Sequence, residues 1–400
     1  MILENWVSLA GALQKQVFIV REGKLVSKTN STSSDLVVFS HLRWTGVWQR
    51  PQQIISRMAT RFDRVIFVEE PQHVPHANAS VLRTEQCPSV LRAWLDLPAA
   101  DGHRGGFSDE RASEYAHLLQ DNLHVREGST VWLYTPLALP LAEQLSPKRM
   151  IFDVMDDLAA FAYADPALPA LHIETLRRAD VVFTGDRSLQ IGARRHRPDA
   201  ICFPSGVDLQ HYGRSQSLRP TSRARMVAGY VGVVDERLNL PLLRQLAEEL
   251  DDWDIHVVGP VAKLDPADLP VEPNLMYFGP RPYDALPEIM AGFDVALMPF
   301  ALNAATRSIS PTKSLEYLAA GLPVVSTPVP DVVTDFQGIV DLEDDGAAFA
   351  AACRRLADGH SAEKRRATEA LLRWNQWDAI VERMLDHMET GAGDIDQEAV

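Results

Sequence analysis

The chain has 400 residues, 46% of them apolar and 23% charged, and a formal net charge of -15. That length supplies apolar cores for two or three domains, and the acidic balance excludes a general nucleic-acid binder, which needs a basic footprint. No apolar run of about 18 residues occurs, so no membrane span is expected. Cys87, Cys202 and Cys353 have no metal spacing and are odd in number, which favours a reducing, cytoplasmic setting.

Residues 1–34 read as an N-terminal extension. MILENWVSLAGALQKQVFIVREG has an apolar middle but an acidic Glu4 and no basic start, so a secretory signal is not expected. A short strand is expected at 17–20, and the Ser/Thr/Asn run at 27–34 reads as a flexible join. A first domain, 35–210, opens with the strand LVVFS and a helix in WQRPQQIISRMATRF, where Ile54, Ile55, Met58 and Phe62 recur at helical spacing. RVIFVEEP is the next strand. From Gln72 to Gly106 the pattern is irregular and assigns no element. Helices are then expected at 110–123, 139–145, 170–178 and 187–195, with strands at 130–134, 149–154, 180–183 and 200–203. Such alternation predicts a doubly wound parallel sheet.

HYGRSQSLRPTSRAR, residues 211–225, is polar and aperiodic and reads as a linker. A second domain, 226–360, repeats the alternation. Its strands fall at 226–231, 253–258, 275–278, 295–298 and 323–326, and its helices at 240–250, 283–290, 313–320 and 346–357. A helical pattern at 361–390 and a disordered tail at 391–400 complete the chain. Two α/β domains joined in this way leave a cleft for a ligand.

The chemistry concentrates at strand ends. In GFDVALMPFALNAATRSISPTKSLEYLAAGLPVVSTPVPD, Ser310 is a candidate N-cap and Pro311 fits the first turn, so the helix start offers unpaired amides to an anion. Thr312 and Lys313 stand at that helix start. Glu316, within two turns, can accept from a sugar hydroxyl but would repel a phosphate. The fitting ligand carries both phosphate and ribose. Gly232 ends the strand of GYVGVVDERLNL and lets the backbone approach a ligand. Arg237, Lys263 and Arg307 can reach a diphosphate, although Arg237 also fits an exposed first-turn arginine. Arg281 and Tyr283 follow the strand at 275–278, where Tyr283 can equally be helix packing.

The segment SPTKSLEYLAAGLPVVST resembles the nucleotide-sugar segment of GT-B glycosyltransferases, of the large retaining type that makes bacterial polysaccharides (glycosyltransferase family 1/4-like). In that family two acidic residues at a fixed spacing precede the Gly-x-Pro-Val-Val strand. Glu316 matches the second, the ribose ligand. Ser308 stands at the first, where the family pattern is acidic. FPSGVDLQHY resembles the family's segment closing the first domain, with Ser205 where Asn is commoner, and Gly206 is expected to allow a positive φ.

The resemblance implies a GT-B architecture: two Rossmann-like domains facing a cleft, with the donor in the second, the acceptor in the first, and the last helix packing back on the first domain. It implies transfer of a hexosyl group from a UDP- or GDP-sugar, metal-independent and retaining, to a carbohydrate or lipid-linked saccharide in cell-surface polysaccharide synthesis. No cofactor is implied, and the setting is cytoplasmic or peripheral at the inner membrane. Donor contacts then fall to Gly232, Arg237, Lys263, Arg281, Tyr283, Arg307, Ser310, Thr312, Lys313 and Glu316. His41, Arg43, Trp44, Trp48 and Arg50 in SHLRWTGVWQRPQQ suit an acceptor, or protein contact. Asp156 and Asp157 in FDVMDDLAAF are the candidate catalytic carboxylates, with Asp153 beside them as a backbone cap. A silent nucleotide-sugar binder and a nucleotide-sugar epimerase of the same architecture are the alternatives.

Overall fold

The structure is a computed structural model and describes residues 20–21, 24–25, 35–46, 48–75, 79–99, 106–161, 164–262, 264–303, 306, 312–357, 359 and 361–390. A small antiparallel ribbon pairs β1 (Val20–Arg21) with β2 (Lys24–Leu25). The first domain is built from β3 (Asp35–Ser40), α1 (Arg50–Met58), β4 (Arg64–Glu69), β5 (Gln72–Val74), β6 (Val81–Gln86) and β7 (Leu91–Pro98). It continues with α2 (Tyr115–Leu123), β8 (Thr130–Leu133), α3 (Leu139–Gln144), β9 (Arg149–Val154), α4 (Leu168–Arg178), β10 (Val181–Thr184), α5 (Arg187–Arg194) and β11 (Ile201–Cys202).

Its sheet runs β11-β10-β9-β8-β3-β4-β7-β5, parallel throughout, with β6 added antiparallel to β7. Every residue of β3 is buried, as the apolar run DLVVFS requires of a central strand covered on both faces. The order reverses between β3 and β8. The stretch 72–106, which the sequence pattern left unassigned, holds β5, β6 and β7. β6 is almost wholly exposed and so lacks the apolar alternation that marks a strand.

The second domain follows α6 (Leu209–Leu218), with β12 (Val227–Val231), α7 (Leu240–Glu249), β13 (Asp254–Val258), β14 (Leu275–Tyr277), α8 (Leu286–Ala291), β15 (Val295–Met298), α9 (Thr312–Ala319), β16 (Val324–Ser326), α10 (Pro330–Asp335), β17 (Asp341–Leu342) and α11 (Gly346–Leu356). All six strands are parallel, in the order β14-β13-β12-β15-β16-β17, reversing between β12 and β15. The expected linker at 211–225 is half helix. Asp208 caps α6 by accepting from the His211 amide at 2.9 Å, and Tyr212 and Ser215 are buried on the face that packs against α8 and α9.

The chain crosses between domains twice. It passes at 203–208 and returns between α12 (Ala362–Trp374) and α13 (Trp377–Thr390). The crossings are bonded to each other: the Val207 amide donates to the Asn375 carbonyl at 2.9 Å, and the Trp377 amide to the Val207 carbonyl at 3.2 Å. Gly206 lies at this contact. Its φ is not positive, contrary to expectation; the constraint is space, because a Cβ there would sit 2.7 Å from both the Asn375 carbonyl oxygen and Ile380 Cδ1. Beyond the crossing, Trp377, Ile380 and Met384 of α13 join Ile54, Ile55 and Met58 of α1 in one apolar cluster of the first domain. No helix among the described residues is long and apolar enough to cross a membrane.

Candidate functional site

Both sheets turn their carboxyl ends toward one cavity of about 480 Å³. Met155 and Asp156 enter it just past β9, Val233 just past β12 and Phe300 just past β15. Crevices at strand carboxyl ends beside a reversal of strand order are where open α/β sheets take ligands.

α9 builds the wall on the second domain. Thr312, Lys313 and Glu316 all line the cavity. Lys313 lies across Gly232, where a Cβ would fall 2.5 Å from its Cε and 2.7 Å from its Nζ, so only glycine leaves the lysine its place. The ammonium stands 6.0 Å from the Tyr230 ring centroid and forms no salt bridge with a described residue. Burial pushes the Glu316 carboxyl upward, opposed by the Lys313 charge and by the nearby Tyr212 hydroxyl. Arg237 also reaches the cavity but is clamped by its neighbour Asp235, with Nε and Nη2 both donating to that carboxylate. The Tyr283 ring is stacked on His211 at 3.9 Å and 9°. Arg281 is exposed and does not line the cavity. Lys263, Arg307, Ser308, Ser310 and Pro311 lie outside the described residues.

The opposite wall carries Trp48, Gln49, Gln53 and Asp156. Burial and the nearby Asp186 charge push the Asp156 carboxyl up to about 6, which suits a group that exchanges a proton near neutrality. Asp157 is exposed and outside the cavity wall.

Several expected acceptor residues are spent on the framework instead. Arg50 borders the cavity, but its guanidinium is buried and bonded to Asp153 at 2.9 Å, with Nη1 donating to the Phe203 carbonyl at 2.7 Å. Asp153 is therefore a buried counter-ion, not a backbone cap, and it does not converge with Asp156 and Asp157. Among the described residues no His/Cys/Asp/Glu group is arranged to hold a metal. Arg43 pairs with Glu69 at 3.0 Å, and the same carboxylate accepts from Arg92 and from the Trp44 amide. Trp44 is core, edge-on to Phe67 and to Trp48. His41 follows β3 at the reversal of the first sheet, and burial holds its imidazole down at about 4, but it is not part of the cavity wall. Of the five, only Trp48 offers an exposed face to the cavity.

The structure adds Gln49, Gln53, Met155, Asp208, Tyr212 and Trp377 to the walls. Asp208 and Tyr212 stand inside the FPSGVDLQHY string, which was the available signal. Gln49 and Gln53 enter because α1 points its first turn at the cleft, and Trp377 because the last helix returns there. No local pattern announces either.

Residues 227–359 match the family described as Glycosyl transferases group 1. That match falls within the second domain, from β12 through α11. Among curated proteins, the chain is 25% identical over 229 residues to TuaH of Bacillus subtilis (strain 168), named as a candidate teichuronic acid biosynthesis glycosyltransferase. That match covers 51% of this chain, which spans little more than half of the relative, 56%. Among solved structures, Anabaena HepE in complex with UDP and glucose superposes with a TM-score of 0.63 at 12% identity, covering 89% of this chain and 100% of that one. The α,α-trehalose-phosphate synthase (UDP-forming) of Burkholderia xenovorans in complex with glucose-6-phosphate gives 0.61 at 13%, with 89% and 100% covered. The fold is GT-B: two Rossmann-like domains around a cleft.

Proposed function

We propose that this protein is a glycosyltransferase that moves a hexosyl group from a UDP- or GDP-sugar to a hydroxyl of a carbohydrate or lipid-linked saccharide during cell-surface polysaccharide synthesis. The observation that carries the reading is the placement of Lys313 and Glu316 on one wall of the cleft, with Asp156 on the other. An ammonium near a helix start, with no salt bridge to a described residue, suits a departing diphosphate, whose developing charge it would stabilise together with the backbone amides beyond β12. Glu316, repelled by phosphate, suits a ribose hydroxyl. Asp156 suits orientation of the acceptor hydroxyl, and Trp48 a sugar face.

The polysaccharide setting draws support from the likeness to TuaH, and a uridine nucleotide from the ligand named with HepE. Metal independence and retention follow the family resemblance. A lipid-linked acceptor would bring the protein to the inner face of the membrane.

The test is incubation with UDP-glucose, UDP-galactose, UDP-glucuronate and GDP-mannose, reading nucleotide release with and without extract-derived acceptors. Release that depends on acceptor supports transfer. Interconversion of sugar isomers without acceptor would replace the reading by an epimerase.

A further inference from the structure

The first turn of α6 touches the donor wall at two consecutive residues. His211 lies flat on Tyr283, centroids 3.9 Å apart, and its Nε2 is 3.1 Å from the Tyr283 carbonyl. The next side chain, Tyr212, is buried, stands edge-on to the same Tyr283 ring at 5.9 Å, and lines the cavity beside Glu316. Burial and the neighbouring Glu316 charge both push its ionisation up, so the phenol stays protonated beside that carboxylate in the same cavity. One turn further on, Gln216 Nε2 donates to the Ala319 carbonyl at 3.1 Å, closing the C-terminal end of α9. α6 thus holds Tyr283 with one residue, faces the cavity with Glu316 through the next, and holds the far end of the Glu316 helix with a third. Its own start is fixed at the domain crossing, where the capping carboxylate of Asp208 lies 3.7 Å from Arg57 of α1.

We infer that His211 and Tyr212 are positioning residues for the nucleoside of the donor. Tyr212 aims the Glu316 carboxylate at the ribose hydroxyls, and His211 holds the Tyr283 ring to meet the nucleobase. The inference rests on the nucleotide-sugar reading of this cavity. A carboxylate held beside a fixed phenol keeps fewer directions than a free glutamate, which would lose more side-chain entropy on binding. Phenylalanine at 212 keeps the ring and its packing and removes only the restraint.

The experiment is calorimetric titration of the full chain with UDP and GDP, and then with the 2′,3′-dideoxy form of the tighter binder and with pyrophosphate. Tyr212→Phe is expected to weaken the ribonucleotide about 10-fold and the dideoxynucleotide by less than about 2-fold. In a Glu316→Gln background the same change should add less than about 2-fold, because the partner is gone. His211→Ala is the independent arm: it should weaken the nucleotide about 5-fold and leave pyrophosphate within about 2-fold. Equal losses on ribo- and dideoxynucleotide, or full additivity with Glu316→Gln, would make Tyr212 a packing residue and overturn the inference. Equal losses on nucleotide and pyrophosphate would do the same for His211. Wild-type protein that binds neither UDP nor GDP would instead overturn the functional reading beneath it.

Discussion

On the second-domain wall Lys313 has no carboxylate partner among the described residues other than the Glu316 it shares the cavity with. Across the cleft, Arg50 is locked to Asp153 and Arg43 to Glu69. Cations stand near strand ends of both domains, yet only on the second-domain wall does one stay free of a salt bridge to a described residue. The difference follows from what faces each cation. Lys313 stands over a glycine and a tyrosine ring, neither of which can neutralise it. Arg50 and Arg43 each meet an acid at the end of a neighbouring strand, brought there by the parallel sheet. Of the three, Lys313 alone is left without a salt bridge to a described residue.

The sharpest way to break this comparison is Arg50→Ala. If Arg50 belongs to the framework, removing it leaves Asp153 buried and unpaired, and should cost about 3–5 kcal/mol in denaturant unfolding. A stable variant that lost only acceptor binding would return Arg50 to the ligand side.

Asp156→Asn tests the other member of the first-domain wall. Turnover is expected to fall about 10²–10⁴-fold while nucleotide affinity holds. The carboxyl near 6 also fixes a direction with pH: kcat/KM should rise as Asp156 ionises through about 6, and the Asn variant should lack that limb. A folded-state value raised above the unfolded value of about 3.9 means that the stability this group contributes is present below that value and lost as pH rises through about 6. Above pH 6 the Asn variant should therefore melt higher than the parent. An unchanged acid limb in the variant would remove Asp156 from the chemistry.

A smaller effect is expected at the crossing between the walls. Gly206→Ala drives a methyl into the Asn375 carbonyl and Ile380, and should destabilise by about 1–3 kcal/mol. Unaltered melting would show that the two crossings are not in contact in solution.

The same contrast marks what was legible in the sequence. Strands such as Arg149–Val154 and Val295–Met298, and the helix carrying Lys313 and Glu316, are set by local apolar runs and a helix start, and they were read directly. The hairpin of β6 and β7 was not, since β6 faces solvent. Helix α6 was not either, because its buried face is made of Tyr212 and Ser215, a pair without an apolar period. Lys313, Glu316, Tyr283, Trp48 and Asp156, singled out from the sequence, all line the cavity. The ion pairs of Arg50 and Arg43 were not legible, because their partners lie 103 and 26 positions away, a pairing only the fold creates.

The claim beneath all of this is that the α9 wall receives a nucleoside diphosphate. Calorimetry of UDP and GDP against the wild type, Lys313→Ala and Glu316→Ala tests it most directly. The account predicts that the wild type binds at least one of the two, and that each substitution weakens it by about 1.5–3 kcal/mol, the worth of a hydrogen bond to a charged group. The melting temperature without ligand should change little. No measurable binding by the wild type at millimolar nucleotide, or binding unaltered in both variants, would contradict it.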